Sequence, residues 1–286
     1  MALSTPGLVK AANQMILDMV PEMNLVRLFA YDISDSVADA GTKVRITFAT
    51  GGTATPFNVS SNNYEKPSGS LGDVFVTLDT QPKATIPITG ADTLELDNPY
   101  WDKLAEACSN SVRASISATI GGLFTPSNCT GGAINMDTVT KAGIAGLRTE
   151  CVGRVADNVL LLAPDYYADL LSLLDSSAYG SADAIRLGYV SQLYGFRAIA
   201  VGTDLPSGVK GVLLPYNSIA IASRPVGIAD TECYSEYGTV KDEHGFSLTI
   251  LRHGSPATGG AFVNATCLFG AGFVKKSNVK YIRETP

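Results

Sequence analysis

Histidine is scarce in this 286-residue sequence, cysteine is scattered, and charged residues make up only 17%. Each shortage removes a class of function. The two histidines, His244 and His253, lie in polar or turn-like surroundings with no metal-ligand partner at i+3 or i+4. Cys108, Cys129, Cys151, Cys233 and Cys267 are far apart and contain no Cys-x-x-Cys pair, so they read as buried thiols rather than a metal clip or redox site. With 21 Lys and Arg against 27 Asp and Glu, the net charge is −6 and the pI near 5.0. That balance argues against a surface that grips duplex DNA on all sides, since phosphate neutralisation draws on clustered cations, and leaves one face at most for nucleic acid.

Long apolar runs are missing too. No stretch reaches the roughly eighteen residues of a membrane span. Met1 to Asp18 holds no clean apolar block before a small-residue cleavage site, and a soluble intracellular product is expected. The sequons at Asn58, Asn128 and Asn264 then read as chance matches. No glycine cluster forms a phosphate-cradling motif, and Ser68 to Gly72 lacks the leading glycine of a nucleophile elbow. Asp242-Glu243 reads as a solvated loop. No catalytic constellation, metal site or cofactor site emerges.

What is present is 45% hydrophobic residues, enough for real cores, arranged in a definite order. Leu8 to Met19 has roughly helical spacing and is expected to stop before Pro21. Two segments of period-two alternation follow. One sets Val44, Ile46 and Phe48 against Arg45 and Thr47; the other sets Val74, Val76 and Leu78 against Phe75 and Thr77. They flank about twenty polar residues, including Tyr64, Glu65, Lys66 and Pro67, and predict a long hairpin with an extended tip. A ribbon of that length cannot bury both faces on its own domain, so a neighbouring copy is the expected cover. Ala84 to Ile88 reads as an edge strand, because prolines interrupt it at 82 and 87.

A helix is predicted from Asn98 as N-cap and Pro99 at the first position, with Trp101, Leu104, Cys108, Val112, Ile116 and Ile120 on one face and Gly121-Gly122 as the stop. Lys103, Glu106 and Arg113 fall outward on this rod. From Met136 the pattern becomes α/β: a helix around Val139 to Val152, a buried strand Val159 to Leu162, a helix started by Pro164, and strands at 196–201, 212–214 and 219–222. Long strands return at 247–252, 261–269 and 273–282, expected to form a sheet under the helix.

This order resembles the tailed-bacteriophage major capsid proteins of the Hong Kong ninety-seven fold. The resemblance is carried by DVFVTLDTQ (Asp73 to Gln81), VLLLAPDYY (Val159 to Tyr167), GYVSQLYGFR (Gly188 to Arg197), GVLLPYNSIAIA (Gly211 to Ala222) and LTILRH (Leu248 to His253). It implies an α+β fold: an N-terminal arm over 1–40 and an extended β-hairpin loop over 41–90. A spine helix with the first part of a peripheral domain covers 91–136, an α/β axial domain 137–239 and peripheral strands 240–286. The implied function is self-assembly into an icosahedral shell around double-stranded DNA, in the virion after assembly in the bacterial host cytoplasm.

The implied partners are other copies in hexamers and pentamers, a separate scaffolding protein, a portal protein and packaged DNA on the inner face, with no membrane. Encapsulin-like shell proteins share the fold, and a β-rich ligand-binding or adhesin module is the alternative from another class. Expected inter-subunit contacts are Val44, Ile46, Phe48, Tyr64, Glu65, Lys66, Val74, Val76 and Leu78 on the hairpin. Loops 176–183 and 204–208, with Asp204 and Leu205, are expected around the symmetry axes. Some shells join a hairpin-tip lysine to an asparagine of a neighbour. Lys66 as donor, Asn264 or Asn278 as acceptor and Glu284 as base would be the participants, beside the ordinary reading of Lys66 as a surface lysine.

Overall fold

The computed structural model describes residues 6–34, 42–50, 70–88, 98–173, 189–191, 193–202, 204–227, 233–255 and 259–285. In chain order the first half contains α1 (Pro6–Arg27), β1 (Ala30–Asp32), β2 (Lys43–Thr50), β3 (Ser70–Thr77), β4 (Lys83–Ile88), α2 (Asn98–Gly121), β5 (Ala133–Asn135) and α3 (Lys141–Gly146). The second half adds β6 (Asn158–Leu162), α4 (Pro164–Leu173), β7 (Tyr189–Ser191), β8 (Ala198–Val201), β9 (Gly211–Pro215), β10 (Ile219–Arg224), β11 (Glu236–Lys241), β12 (Ser247–Ser255), β13 (Gly260–Thr266), β14 (Leu268–Phe273) and β15 (Lys280–Arg283).

The predicted spine is α2, and its buried positions Trp101, Leu104, Cys108, Val112, Ile116 and Ile120 follow the i+3/i+4 pattern of the sequence. At 1.5 Å per residue it is about 36 Å long. One side of α2 lies on a four-stranded sheet ordered β11-β12-β13-β4, whose inner face supplies Ala84, Ile88, Ile250, Val263 and Ala265 to the main core. As expected, β4 is an edge strand of that sheet.

The other side of α2 receives α1, which runs parallel to it. Gly7 sits under Trp101, Lys10 pairs with Asp102 at 3.0 Å, and Ser117 donates to Glu22 at 2.9 Å. The expectation that the first helix stops before Pro21 is wrong, because α1 continues through it to Arg27. An interior proline costs about 3 kcal/mol. Met23 and Val26, buried in the core beyond the proline, offset that at about 1.5–3 kcal/mol per side chain.

A six-stranded sheet ordered β5-β15-β9-β6-β8-β7 carries a helix-covered core on one face and the main core on the other. β6 is therefore buried at every position, with Val159 and Leu161 turned to the main core and Leu160 and Leu162 to the second one. That is why it reads as an unbroken apolar run. The helix predicted over Val139 to Val152 is shorter, α3 followed by a 3₁₀ turn from Leu147 to Glu150. Two C-terminal segments also depart from expectation. The stretch 261–269 divides at Cys267 into β13 and β14, and the last strand, β15, leaves the other late strands to insert between β5 and β9. Its Ile282 fills the second core.

A three-stranded sheet ordered β1-β10-β14 joins these parts. One face, with Ile219, Ile221, Phe269 and Phe273, belongs to the main core. The register pairs Ala220 with Gly272 and Ala222 with Gly270, so the opposite face is almost bare of side chains.

Candidate assembly surfaces

The predicted hairpin is the β2–β3 ribbon, paired antiparallel from Lys43↔Thr77 to Thr50↔Ser70. This register places Val44 with Val76 and Ile46 with Val74 on one face, and sets Phe48 across from Gly72, where its ring lies over the glycine. The other face carries Arg45 with Phe75, Thr47 with Asp73 and Ala49 with Leu71.

The apolar face does not wait for a neighbour. Its base packs on the small-residue face of the three-stranded sheet, where Ile33, Val76, Leu78, Ala220 and Ala222 form a core of their own with Val44 and Ile46 against it. Val76 is 0% exposed and Leu78 2%. Both are corrected as contact candidates, since a side chain closed inside its own subunit has no surface to offer. Val44, Ile46, Phe48 and Val74 are half-buried, and the Lys275 ammonium lies 5.6 Å from the centre of the Phe48 ring.

The opposite face is open. Phe75 is 58% exposed and Leu71 78%, large apolar groups beside an ion pair between Arg45 and Asp73. Asp73 also accepts the Thr47 hydroxyl at 2.7 Å, and the Arg45 hydrogen bond, then that of Thr47, holds its carboxyl below the usual range. These polar groups brace the ribbon crosswise and leave the two apolar side chains unmatched. The sequence did carry a signal for this face: Phe75 is the one aromatic at an otherwise polar phase of the alternation.

Tyr64, Glu65 and Lys66, and the loop 176–183, lie outside the described residues. Asp204 and Leu205 do not form a free tip. The Asp204 backbone, at φ 58°, crosses the end of α2 so closely that a Cβ on Gly121 would lie 2.3 Å from its carbonyl oxygen. Asp204 is exposed, and Leu205 packs partly buried on the main core with part of its side chain still at the surface.

The crosslink participants are not gathered. Asn264 is buried in β13, with its carbonyl oxygen accepting Thr85 at 2.6 Å and its amide 3.2 Å from His253 Nδ1, which corrects it as an acceptor. Asn278 is half-buried at the end of a 3₁₀ turn. Glu284 follows β15, on a different sheet from Asn264, and is held 3.2 Å from Lys210. His253 itself is on a strand rather than a turn and stacks on Phe262 at 5.4 Å.

Among the described residues no group of three or more His, Cys, Asp or Glu could hold a metal, and no helix is long and apolar enough to cross a membrane. Burial pushes the thiols of Cys108 and Cys129 up to about 11 and that of Cys267 to about 12. Thiolate chemistry near neutral pH is closed to these three.

No family model matches the sequence, and no curated protein matches it significantly. Solved structures do match. The capsid of the cyanophage P-SCSP1u superposes with a TM-score of 0.54 at 11% identity, over 90% of this chain and 86% of that one. The capsid of a native GTA particle gives 0.53 at 12%, over 92% and 90%, and a virus-like particle from Pyrococcus furiosus 0.52 at 9%, over 96% and 98%. At such identities the shared property is the course of the backbone, which here is matched over most of both partners. With its N-terminal helix, projecting ribbon, spine helix and flanking sheets, this chain has the Hong Kong ninety-seven-type capsid fold.

Proposed function

We propose that this chain is the major capsid protein of a tailed double-stranded DNA bacteriophage and assembles with copies of itself into an icosahedral shell. The observation that carries this reading is the two-way, near-complete correspondence with capsid structures, 92% of this chain and 90% of the GTA capsid. A fold shared only in part would leave room for another use of the remainder; here little remainder exists.

The ribbon supports the same reading. Its outer face exposes Leu71 and Phe75 among polar groups, turned away from the chain's own core, and a neighbouring copy is the cover that a shell supplies. Because the ribbon face of one copy would meet a different surface on the next, the contact is heterologous. Repeated heterologous contacts close into rings when their rotation permits. Each such contact can be modest, since simultaneous engagement around a closed particle multiplies weak affinities. Scaffolding and portal proteins and packaged DNA belong to this reading as partners.

A second reading, a shell enclosing a cargo other than a phage genome, draws on the match to the Pyrococcus particle. One preparation addresses both. The purified protein, alone or with a co-expressed scaffold, is expected to give uniform closed particles by negative-stain electron microscopy. Dispersed monomers under both conditions would end the shell reading, and a co-purifying enclosed enzyme would favour the second.

A further inference from the structure

We propose that Gly270 is the positioning residue that aims the β2–β3 ribbon, and that shell assembly depends on the absence of a side chain there. The inference rests on the shell-forming reading above. It concerns how the subunit presents its contact face rather than whether it has one.

At its base the ribbon's second strand runs over β14, and its nearest backbone approach is at Gly270. A Cβ added at Gly270 would lie 2.2 Å from the Thr77 carbonyl oxygen, 2.9 Å from the Thr77 carbonyl carbon and 3.0 Å from Leu78 Cα. All three are backbone atoms, so no rotamer change relieves the clash and one chain must move by an ångström or so. β14 is poorly placed to yield. It is paired with β10 over six positions and Phe269 is fully buried, whereas the ribbon's chain is tied down beyond Leu78, where Thr80 exchanges two backbone hydrogen bonds with Phe269 at 3.1 and 2.8 Å and so leaves the ribbon to tilt about that point. The ribbon, open to solvent on its far face, is the part that gives.

Gly272 makes an internal contrast. It occupies the same face of β14 two residues on, yet a Cβ there would stand 3.5 Å from Val76 Cγ2, an ordinary van der Waals contact. Glycine is therefore demanded by close approach at 270 and merely accommodated at 272. Gly270 pairs with Ala222, and the pair forms a flat seat beneath buried Leu78. The Leu78 amide in turn closes the ribbon by donating to the Thr42 carbonyl at 2.7 Å.

The consequence is mechanical. Of the eight paired rows, those from Lys43↔Thr77 to Ile46↔Val74 rest on the sheet, and the four beyond, at about 3.3 Å each, project by roughly 13 Å. A tilt at the base therefore carries the outer face, with Leu71 toward its far end, out of position. Interfaces tolerate little of that, because packing at a contact is as dense as in a core.

The test compares wild type, Gly270→Ala and Gly272→Ala. Gly270→Ala is expected to give folded subunits, with wild-type far-UV circular dichroism and a cooperative melt, that fail to form the wild-type particle; Gly272→Ala is expected to form it. Wild-type particles from Gly270→Ala would overturn the proposal while leaving the shell reading intact. Should Gly270→Ala not fold, Leu78→Ala loosens the same seat without a clash. It is expected to give mixed particle sizes or none, and uniform wild-type particles from it would overturn the proposal. If wild type itself makes no particles, the shell reading fails separately. The seat is then judged by amide exchange in Lys43 to Thr50, expected to be faster in Gly270→Ala and overturning the proposal if unchanged.

Discussion

Arg27 shows how much of this fold is secured by single side chains. At the last turn of α1 its guanidinium reaches Asp32 at 2.8 Å and Asp242 at 2.7 Å, and its other nitrogen lies 3.3 Å from Asn24. Asp242 also accepts the amides of His244 and Phe246 through its second oxygen, at 3.0 and 2.8 Å, which forms the turn between β11 and β12. One cation thus links the arm helix, the three-stranded sheet and the four-stranded sheet. Both carboxylates are nearly closed from solvent, their side chains 8% and 4% exposed. Removing the cation leaves two buried anions with hydrogen bonds but no countercharge from Arg27, the case in which ion-pair deletion is costly. Arg27→Ala is expected to lower unfolding free energy by about 3 kcal/mol, read as a reduced midpoint in urea with the slope unchanged. The sequence gives no warning of this node, because Arg27 and Asp242 are 215 residues apart. Asp242 had every appearance of a solvated loop acid.

Among the elements, what was legible follows from whether the deciding partner was local. The face of α2 could be read from spacing alone, since a helix declares its buried stripe within two turns. The pairing of β2 with β3 was equally readable, because alternation and a single intervening tip fix it. Which ribbon face is covered was not. That choice depends on the small residues Ala220, Ala222, Gly270 and Gly272, which become one surface only when β10 and β14 pair. The length of α1 was misread for a similar reason, as Met23 and Val26, which offset Pro21, are buried only once the main core assembles around them.

The end of β15 shows an element held by charge. Glu284 and Asp165 both reach Lys210, at 3.2 and 2.8 Å, and Asp137 accepts the Thr285 amide at 2.6 Å. The Lys210 hydrogen bond holds Asp165 below the ordinary carboxyl range, and the Thr285 amide does the same for Asp137. A carboxyl depressed on folding stabilises the fold where it is ionised, and that contribution is lost as pH falls through the folded value. Lys210 is shifted upward, so it stays charged throughout acid and plays no part in the loss. Below about pH 4 the tail beyond β15 is therefore expected to loosen. Amide exchange at Thr285, corrected for its intrinsic pH dependence, should rise there, and Asp137→Asn should abolish the response.

For the whole molecule, the feature to explain is a chain that is complete in its core yet leaves two large apolar side chains, Leu71 and Phe75, exposed on a projecting ribbon. Three cores account for the buried hydrophobics, and the ribbon contributes to one of them with its inner face only. The period-two alternation of the sequence located the ribbon. It could not locate the contact face, which is a property of three-dimensional covering. That division allows folding and assembly to be separated by one substitution. Phe75 is 58% exposed, so Phe75→Asp removes little buried area from the subunit and should shift its melting temperature only slightly. In an assembled contact the same change would place a carboxylate in a desolvated apolar site, with Asp73 already nearby on the same face. A penalty of a few kcal/mol at each contact recurs throughout a closed particle. Phe75→Asp is expected to remain a folded, dispersed subunit by light scattering under conditions in which wild type forms particles, whereas Val76→Asp, at 0% exposure, should fail at folding instead. Normal particles from Phe75→Asp would assign the neighbour's contact to another surface and leave the ribbon's outer face without a role in assembly.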